Sequence, residues 1–426
     1  MRKRILFVSE NVTLAQVVRL VVLARALGSA AYEVHFASAD FPELVFAGTD
    51  FTRHRIETLS AQQAEQALRA GRRLYEKSTL LRYIAAETRL LREVRPELVV
   101  SDFRWTVPTS AALCGVPSVV LINAYWSPFA PRERFPVPDH PILRWLGESL
   151  TEQYFPRAVP RVFQHFAEPL NAARQKHGLP PVGSLLEVLT HGDYTLYPDH
   201  PWLTPVQQAP DSHQFIGPVL WQPDVGDDGL PLDESGGQPL VYVTLGSSGS
   251  AELLPLLIDV LATLPVTAIV ATAGRARLAG LPRNVVAREF VRGAEVARRA
   301  RLVISNGGST TGYQALNEGT PVLGLPSNFD QYLATEAIVR AGAGRCIKAR
   351  QASPQALRSS IMDLLDDDST RAAARRVAAS FDEQDSASAF RTLVHRATAD
   401  GERATADGGR QQEDQSPERS VRNSAH

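Results

Sequence analysis

Residues 304–344 read ISNGGSTTGYQALNEGTPVLGLPSNFDQYLATEAIVRAGAG, and this stretch restricts the fold more tightly than any other. Residues 302–305 form a short apolar run that reads as a strand, and Asn306-Gly307-Gly308-Ser309-Thr310-Thr311 then turns the chain into a helix over 310–318. Gly319-Thr320-Pro321 stops that helix, 322–325 reads as a second buried strand, and Asp330-Gln331 opens another helix. Strand, helix, strand at this rhythm builds parallel βαβ units and a doubly wound sheet. The two glycines allow backbone to approach a ligand closely. The helix start offers unpaired N–H groups and a positive dipole end, flanked by three hydroxyls, which suits an anion such as a diphosphate. The same residues also read as a plain glycine turn with a Ser/Thr N-cap. Taken alone they support both readings equally.

The rhythm occurs twice. In the second half, 240–245 and 266–272 read as strands with a helix over 251–264 between them. In the first half, 5–8, 32–37, 98–101 and 118–122 read as strands, with helices over 17–27, ending at Gly28, and 109–113. At 426 residues the chain has room for two such domains. The expected fold is α/β: two doubly wound, Rossmann-like domains facing each other across a cleft. We place the first at 1–216, a Gly/Pro/Asp-rich linker at 217–238, the second at 239–396, and a polar, repetitive, disordered tail at 397–426. Residues 61–95 read as one long arginine-rich helix, solvated and laced with ion pairs rather than facing an acceptor or a membrane. Residues 126–160, rich in proline and aromatics, read as irregular structure covering a pocket.

A formal net charge of -1 gives no general attraction to nucleic acid or to an anionic membrane. Two cysteines, Cys114 and Cys346, build neither a metal-ligand set nor a disulfide framework, so a cytoplasmic location is expected. The basic start Met1–Arg4 precedes only four apolar residues, too few for an exported segment, and no apolar run of about 18 residues suits a membrane span. Residues 366–368, three consecutive aspartates, read as a solvated helix end, and no metal site is expected.

The order Gly-Gly turn, new helix, Gly-x-Pro, Asp-Gln, with 24 residues from Asn306 to Asp330, resembles the donor signature of nucleotide-sugar glycosyltransferases of the two-Rossmann-domain (GT-B) type. That family includes plant secondary-metabolite glucosyltransferases and bacterial antibiotic glycosyltransferases. The likeness covers 240–396 well and extends more loosely over the first domain. It implies that the second domain binds a UDP- or TDP-sugar and the first binds the acceptor. Phe290 would stack on the base in place of the family's Trp, and the backbone of Val291 would bond its edge. Gly307, Gly308, Ser309, Thr310 and Thr311 would hold the diphosphate, with Gly246, Ser247 and Ser248 meeting it from the other side. Asp330 and Gln331 would bind sugar hydroxyls.

Three positions depart from the pattern. Asn306 stands where the family has a phosphate-contacting His, and Asn carries no positive charge. Gln314 stands for the Glu that grips the ribose. Gln16 stands for the His that acts as general base, and an amide cannot take up a proton. Asp102 matches the Asp that orients that His. It could deprotonate the acceptor itself, or it could be only a strand-end cap. Glu10 and His140 are further candidates.

The resemblance therefore implies an inverting, metal-independent transfer of a hexose-type sugar, with no cofactor beyond the nucleotide-sugar co-substrate. The acceptor expected is a small apolar or aromatic molecule, as in natural-product tailoring, given Tyr125, Trp126, Phe129 and Phe135 in the 124–140 loop. A monomer or homodimer is expected. The rival reading is a non-catalytic GT-B-fold partner, activator or sugar-nucleotide-binding protein; an epimerase would need acid and base groups near the diphosphate that the sequence does not supply.

Overall fold

A computed structural model describes residues 2–132, 134–137, 148–225, 230 and 237–413. The first half runs β1 (Lys3–Ser9), α1 (Leu14–Ala26), β2 (Tyr32–Ser38), α2 (Glu43–Phe46), β3 (Thr52–Arg55), α3 (Ala61–Arg69), α4 (Lys77–Val94), β4 (Leu98–Asp102), α5 (Val107–Cys114), β5 (Ser118–Leu121), α6 (Glu148–Lys176), α7 (Leu185–Leu189), β6 (Tyr194–Tyr197) and β7 (His213–Phe215). The second runs β8 (Leu240–Thr244), α8 (Leu254–Ala262), β9 (Thr267–Ala271), β10 (Val285–Arg288), α9 (Gly293–Arg299), β11 (Leu302–Ser305), α10 (Ser309–Asn317), β12 (Val322–Gly324), α11 (Phe329–Arg340), β13 (Gly344–Cys346), α12 (Pro354–Asp366), α13 (Asp368–Phe381) and α14 (Ser386–Glu413).

Two sheets result, ordered β3-β2-β1-β4-β5-β6-β7 and β10-β9-β8-β11-β12-β13, with every pair parallel. Their central strands β4 and β8 are buried along their whole length, as strands covered by helices on both faces must be. The strand order reverses between β1 and β4 in the first sheet and between β8 and β11 in the second. A crevice opens at such a reversal, beyond the carboxyl ends of the strands. Glu10 and Asp102 lie at the first reversal; the loop after β8 and the Asn306–Gly308 turn lie at the second.

Several local expectations give way. The 61–95 helix is two helices, α3 and α4, broken where Gly71 takes a φ of 63° and Tyr75 turns into the core. The 126–160 stretch is not irregular throughout: α6 begins at Glu148 and carries Pro156, Pro160 and Pro169 inside it. His140 lies outside the described residues. The aspartate run does end a helix, α12 at Asp366, and it also starts the next, because Asp367 caps α13 by accepting from the backbone of Ser369 and Thr370 at 2.9 and 3.1 Å.

The end of the chain differs most. The helix α14 spans the boundary set at 396 and returns to the first domain, packing on α1 and β4. Phe390, Leu393, Val394 and Ala397 are buried in the same cluster as Phe7, Leu20 and Leu23. Thr398, assigned to the tail by its polarity, is also buried, and its hydroxyl accepts from Lys3 Nζ at 3.2 Å. Four apolar residues on one helical face outweighed the composition that follows them.

Among the described residues no helix is long and apolar enough to cross a membrane. No group of three or more His, Cys, Asp or Glu among them is placed to hold a metal ion.

Candidate functional site

The two reversals face each other. Leu14 N, at the start of α1, donates to Ser247 Oγ at 3.3 Å, and Ser309 Oγ, at the start of α10, donates to Asn123 Oδ1 at 3.3 Å.

On the second-domain side, β11 ends at Ser305, whose hydroxyl accepts from Gly307 N at 3.1 Å. Gly307 has a φ of 78°. A Cβ there would lie 2.1 Å from Thr335 Oγ1, so no side chain fits. Asn306 shapes the turn: its Oδ1 accepts from Gly308 N at 3.1 Å and its Nδ2 donates to Ser248 Oγ at 3.3 Å. Gly246 also has a positive φ, 58°, and lies against Asn306. Ladder bonding in α10 starts with Gly312 N on Gly308 O, and no side chain caps the helix. The N–H groups of Ser309, Thr310 and Thr311 therefore precede the ladder and face the cleft with the dipole's positive end.

Phe290 follows β10 and is half-buried; Val291 is buried beside it. Gln314 donates to the carbonyl of Trp221 at 2.9 Å, so part of its amide holds the linker. Gln331 is buried. Its Oε1 accepts from Ser327 N at 2.9 Å, and its Nε2 donates to Ser248 O at 3.3 Å, tying the start of α11 to the loop after β8. Asp330, next to it, is exposed.

On the first-domain side, Gln16 caps α1: its Oε1 accepts from Val12 N at 3.0 Å and Thr13 N at 3.1 Å. Its amide thus has a structural task at the position where the family pattern has a base. Asp102 does not reach Gln16 but Arg19, one turn further along α1. Arg19 Nε and Nη2 each donate to a different oxygen of Asp102 at 2.9 Å, and Nη1 donates to Asn123 Oδ1 at 2.7 Å. Burial pushes the Asp102 carboxyl up to about 6, with the Arg19 cation opposing that rise. Glu10 is fully buried and pairs with Arg104 at 2.9 Å, and Arg104 also holds Glu87 at 2.6 Å. Burial raises the Glu10 carboxyl too.

Sequence reading missed Arg19, Asn123 and Asp199. Arg19 left a signal, a single arginine inside the apolar run VVRLVV of α1, on a face that has to be buried. Asn123 and Asp199 left none, because their partners come from distant strand ends.

Known proteins share this fold. Residues 256–389 match the family model described as the C-terminal domain of erythromycin biosynthesis protein CIII-like proteins. Spinosyn forosaminyltransferase SpnP superposes with a TM-score of 0.67 at 21% identity, over 94% of this chain and 100% of that one. Spinosyn rhamnosyltransferase SpnG, complexed with thymidine diphosphate, gives 0.63 at 23% identity over 92% and 100%. The fold is that of the two-Rossmann-domain glycosyltransferases. A PGL/p-HBAD biosynthesis glycosyltransferase of Mycobacterium tuberculosis is 43% identical over 385 residues, 89% of each chain. A PGL/p-HBAD biosynthesis rhamnosyltransferase of Mycobacterium bovis is 41% identical over 385 residues, 89% of this chain and 84% of that one. An inactive PGL/p-HBAD biosynthesis glycosyltransferase of the same species is 42% identical over 265 residues, 61% and 71% of the two chains. The chain belongs to this glycosyltransferase family.

Proposed function

We propose that the protein moves a hexose-type sugar from a UDP- or TDP-sugar to a small-molecule acceptor, with inversion and without a metal ion, in the cytoplasm. The observation that carries this is the start of α10, where Gly307 and Gly308 turn the chain and the N–H groups of Ser309, Thr310 and Thr311 precede the helix ladder beside the first domain's reversal point. The diphosphate leaves toward that helix, and backbone dipoles and hydroxyls stabilise its charge. Phe290 and Val291 take the base, Gln314 the ribose, and Asp330 with Gln331 the sugar. The acceptor hydroxyl attacks the anomeric carbon as the bond to the diphosphate oxygen breaks, and its proton passes to Asp102. A neighbour solved with thymidine diphosphate and a relative named as a rhamnosyltransferase favour a TDP-linked deoxyhexose. The aromatic cluster around Trp126, Phe135 and Phe163 favours an apolar or aromatic acceptor.

The second reading is a sugar-nucleotide-binding protein that no longer transfers. Gln16 and Asn306 favour it, as does the inactive relative. Calorimetric titration with UDP, TDP and a sugar conjugate of each separates the readings from the loss of the fold's ligand altogether. Binding of one nucleotide without added metal, with its sugar conjugate weakened by Asp330→Ala, is the expected result; no binding to any of them removes the donor site. Gly307→Val is expected to weaken nucleotide binding about tenfold or more, through the strain and the clash with Thr335. Unchanged affinity in that variant would place the diphosphate elsewhere.

A further inference from the structure

Asn123 to Trp126 follow β5 and belong to the first domain, yet their side chains end on the second. Tyr125 Oη and Trp126 Nε1 donate to the same oxygen of Asp330, Oδ1, at 3.1 and 2.8 Å. Asn123 Oδ1 accepts from Ser309 Oγ at the diphosphate end. Asp199, fully buried, anchors the segment: it accepts from Asn123 Nδ2 at 2.9 Å and Ala124 N at 2.6 Å, and Tyr313 of α10 donates to it from the other domain. The Trp126 ring also packs on Phe329, the residue before Asp330, with centroids 5.5 Å apart. Leu333 and Ala334, one turn further along α11, are buried in the same first-domain cluster.

Two donors on one oxygen stop rotation of an otherwise exposed carboxylate and leave Oδ2 to accept from a ligand. Donors and acceptor sit on different domains, so the orientation exists only while the cleft is closed. We infer that Tyr125 and Trp126 are positioning residues for the donor sugar, which orient Asp330 on closure and make the hold on the sugar, but not on the nucleotide, depend on that closure. This rests on the donor-site reading above. It assigns the first domain a share of sugar recognition and uses side chains that the acceptor loop alone would leave as packing.

The test is Tyr125→Phe with Trp126→Phe, singly and together, beside Asp330→Asn. Trp126→Phe keeps a ring against Phe329 and Tyr125→Phe keeps its own ring, while each removes the hydrogen-bond donor to Asp330. Each protein is titrated with UDP, TDP, UDP-glucose, TDP-glucose and TDP-rhamnose. The double variant should bind the bare nucleotide as wild type does, and lose about tenfold of the affinity for the preferred sugar conjugate, as Asp330→Asn does. Adding Asp330→Asn to the double variant should cost little more, since all three act through one carboxylate. A double variant that keeps its sugar preference while Asp330→Asn loses it overturns the inference and leaves the donor site intact. A wild-type protein that binds nucleotides but shows no preference for any conjugate overturns it as well. Failure to bind the nucleotides at all overturns the donor-site reading instead.

Discussion

Asp102→Asn is expected to lower turnover by about a hundred- to ten-thousand-fold while leaving nucleotide affinity in place. The argument starts from position. Asp102 closes β4 at the strand-order reversal, is fully buried, and faces Arg19 rather than a histidine. Burial raises its carboxyl to about 6, so at neutral pH it is ionised yet basic enough to receive a proton. Arg19 bonds each oxygen once, and a carboxylate oxygen has a second lone pair to offer. The pH dependence follows with its sign. A base must be ionised, so the rate should hold above about 6 and fall as pH drops through that value. For folding the sign is the reverse. The folded value lies above the ordinary 3.8, so Asp102's contribution to stability is complete below that value and is lost as pH rises through about 6. Asp102→Asn should flatten both the acid limb of the rate profile and this part of the stability profile. Asparagine still offers Arg19 one acceptor, and unchanged nucleotide affinity will show that the cleft has survived. Turnover within about threefold of wild type would remove Asp102 as the base and turn attention to Glu10, a buried carboxylate beside it at the β1–β4 reversal.

The second-domain half of the candidate site was legible in sequence as a turn and helix start because its parts are neighbours along the chain. Gly307 is needed for a positive φ and a close approach to Thr335, and Asn306 bonds two residues ahead, both of which are local events. The Asp102–Arg19 pair was not legible. A gap of 83 residues separates them, and only the pairing of β1 with β4 brings α1 over the end of β4. Matching by pattern put Gln16 where a base should be; the fold puts a capping amide there and a cation one turn later. The split of 61–95 into α3 and α4 was equally hidden, since the segment's composition favours helix throughout and only Gly71 marks the break. Polarity misjudged the C-terminus because a helix needs only one apolar face to be held, and in α14 that face is a few residues long.

That same helix carries the other large effect. Ending the chain after Asp385 removes Phe390, Leu393 and Val394 from the core of a domain whose own sequence finished some 170 residues earlier. Phe390 lies 6.0 Å from Phe7 of β1, between ring centroids, and is fully buried. Three such side chains contribute on the order of 5–9 kcal/mol by apolar burial, which is comparable to the whole stability of a typical domain, roughly 5–15 kcal/mol. Truncation should therefore leave the first domain unfolded or aggregating at 25 °C, while the second, whose two clusters contain nothing from α14, stays folded. Thermal melting with limited proteolysis would check this, the expected product being a protected fragment that begins near Leu240. The graded version is Phe390→Ala, with an expected cost of about 3–5 kcal/mol and a lowered melting temperature for the first domain. A truncated protein that melts as a whole at the wild-type temperature would show that α14 only lies on the surface of a core complete without it. The expected result would mean the opposite: the first domain's side of the cleft is completed by α14, so the two sides cannot be separated at the linker.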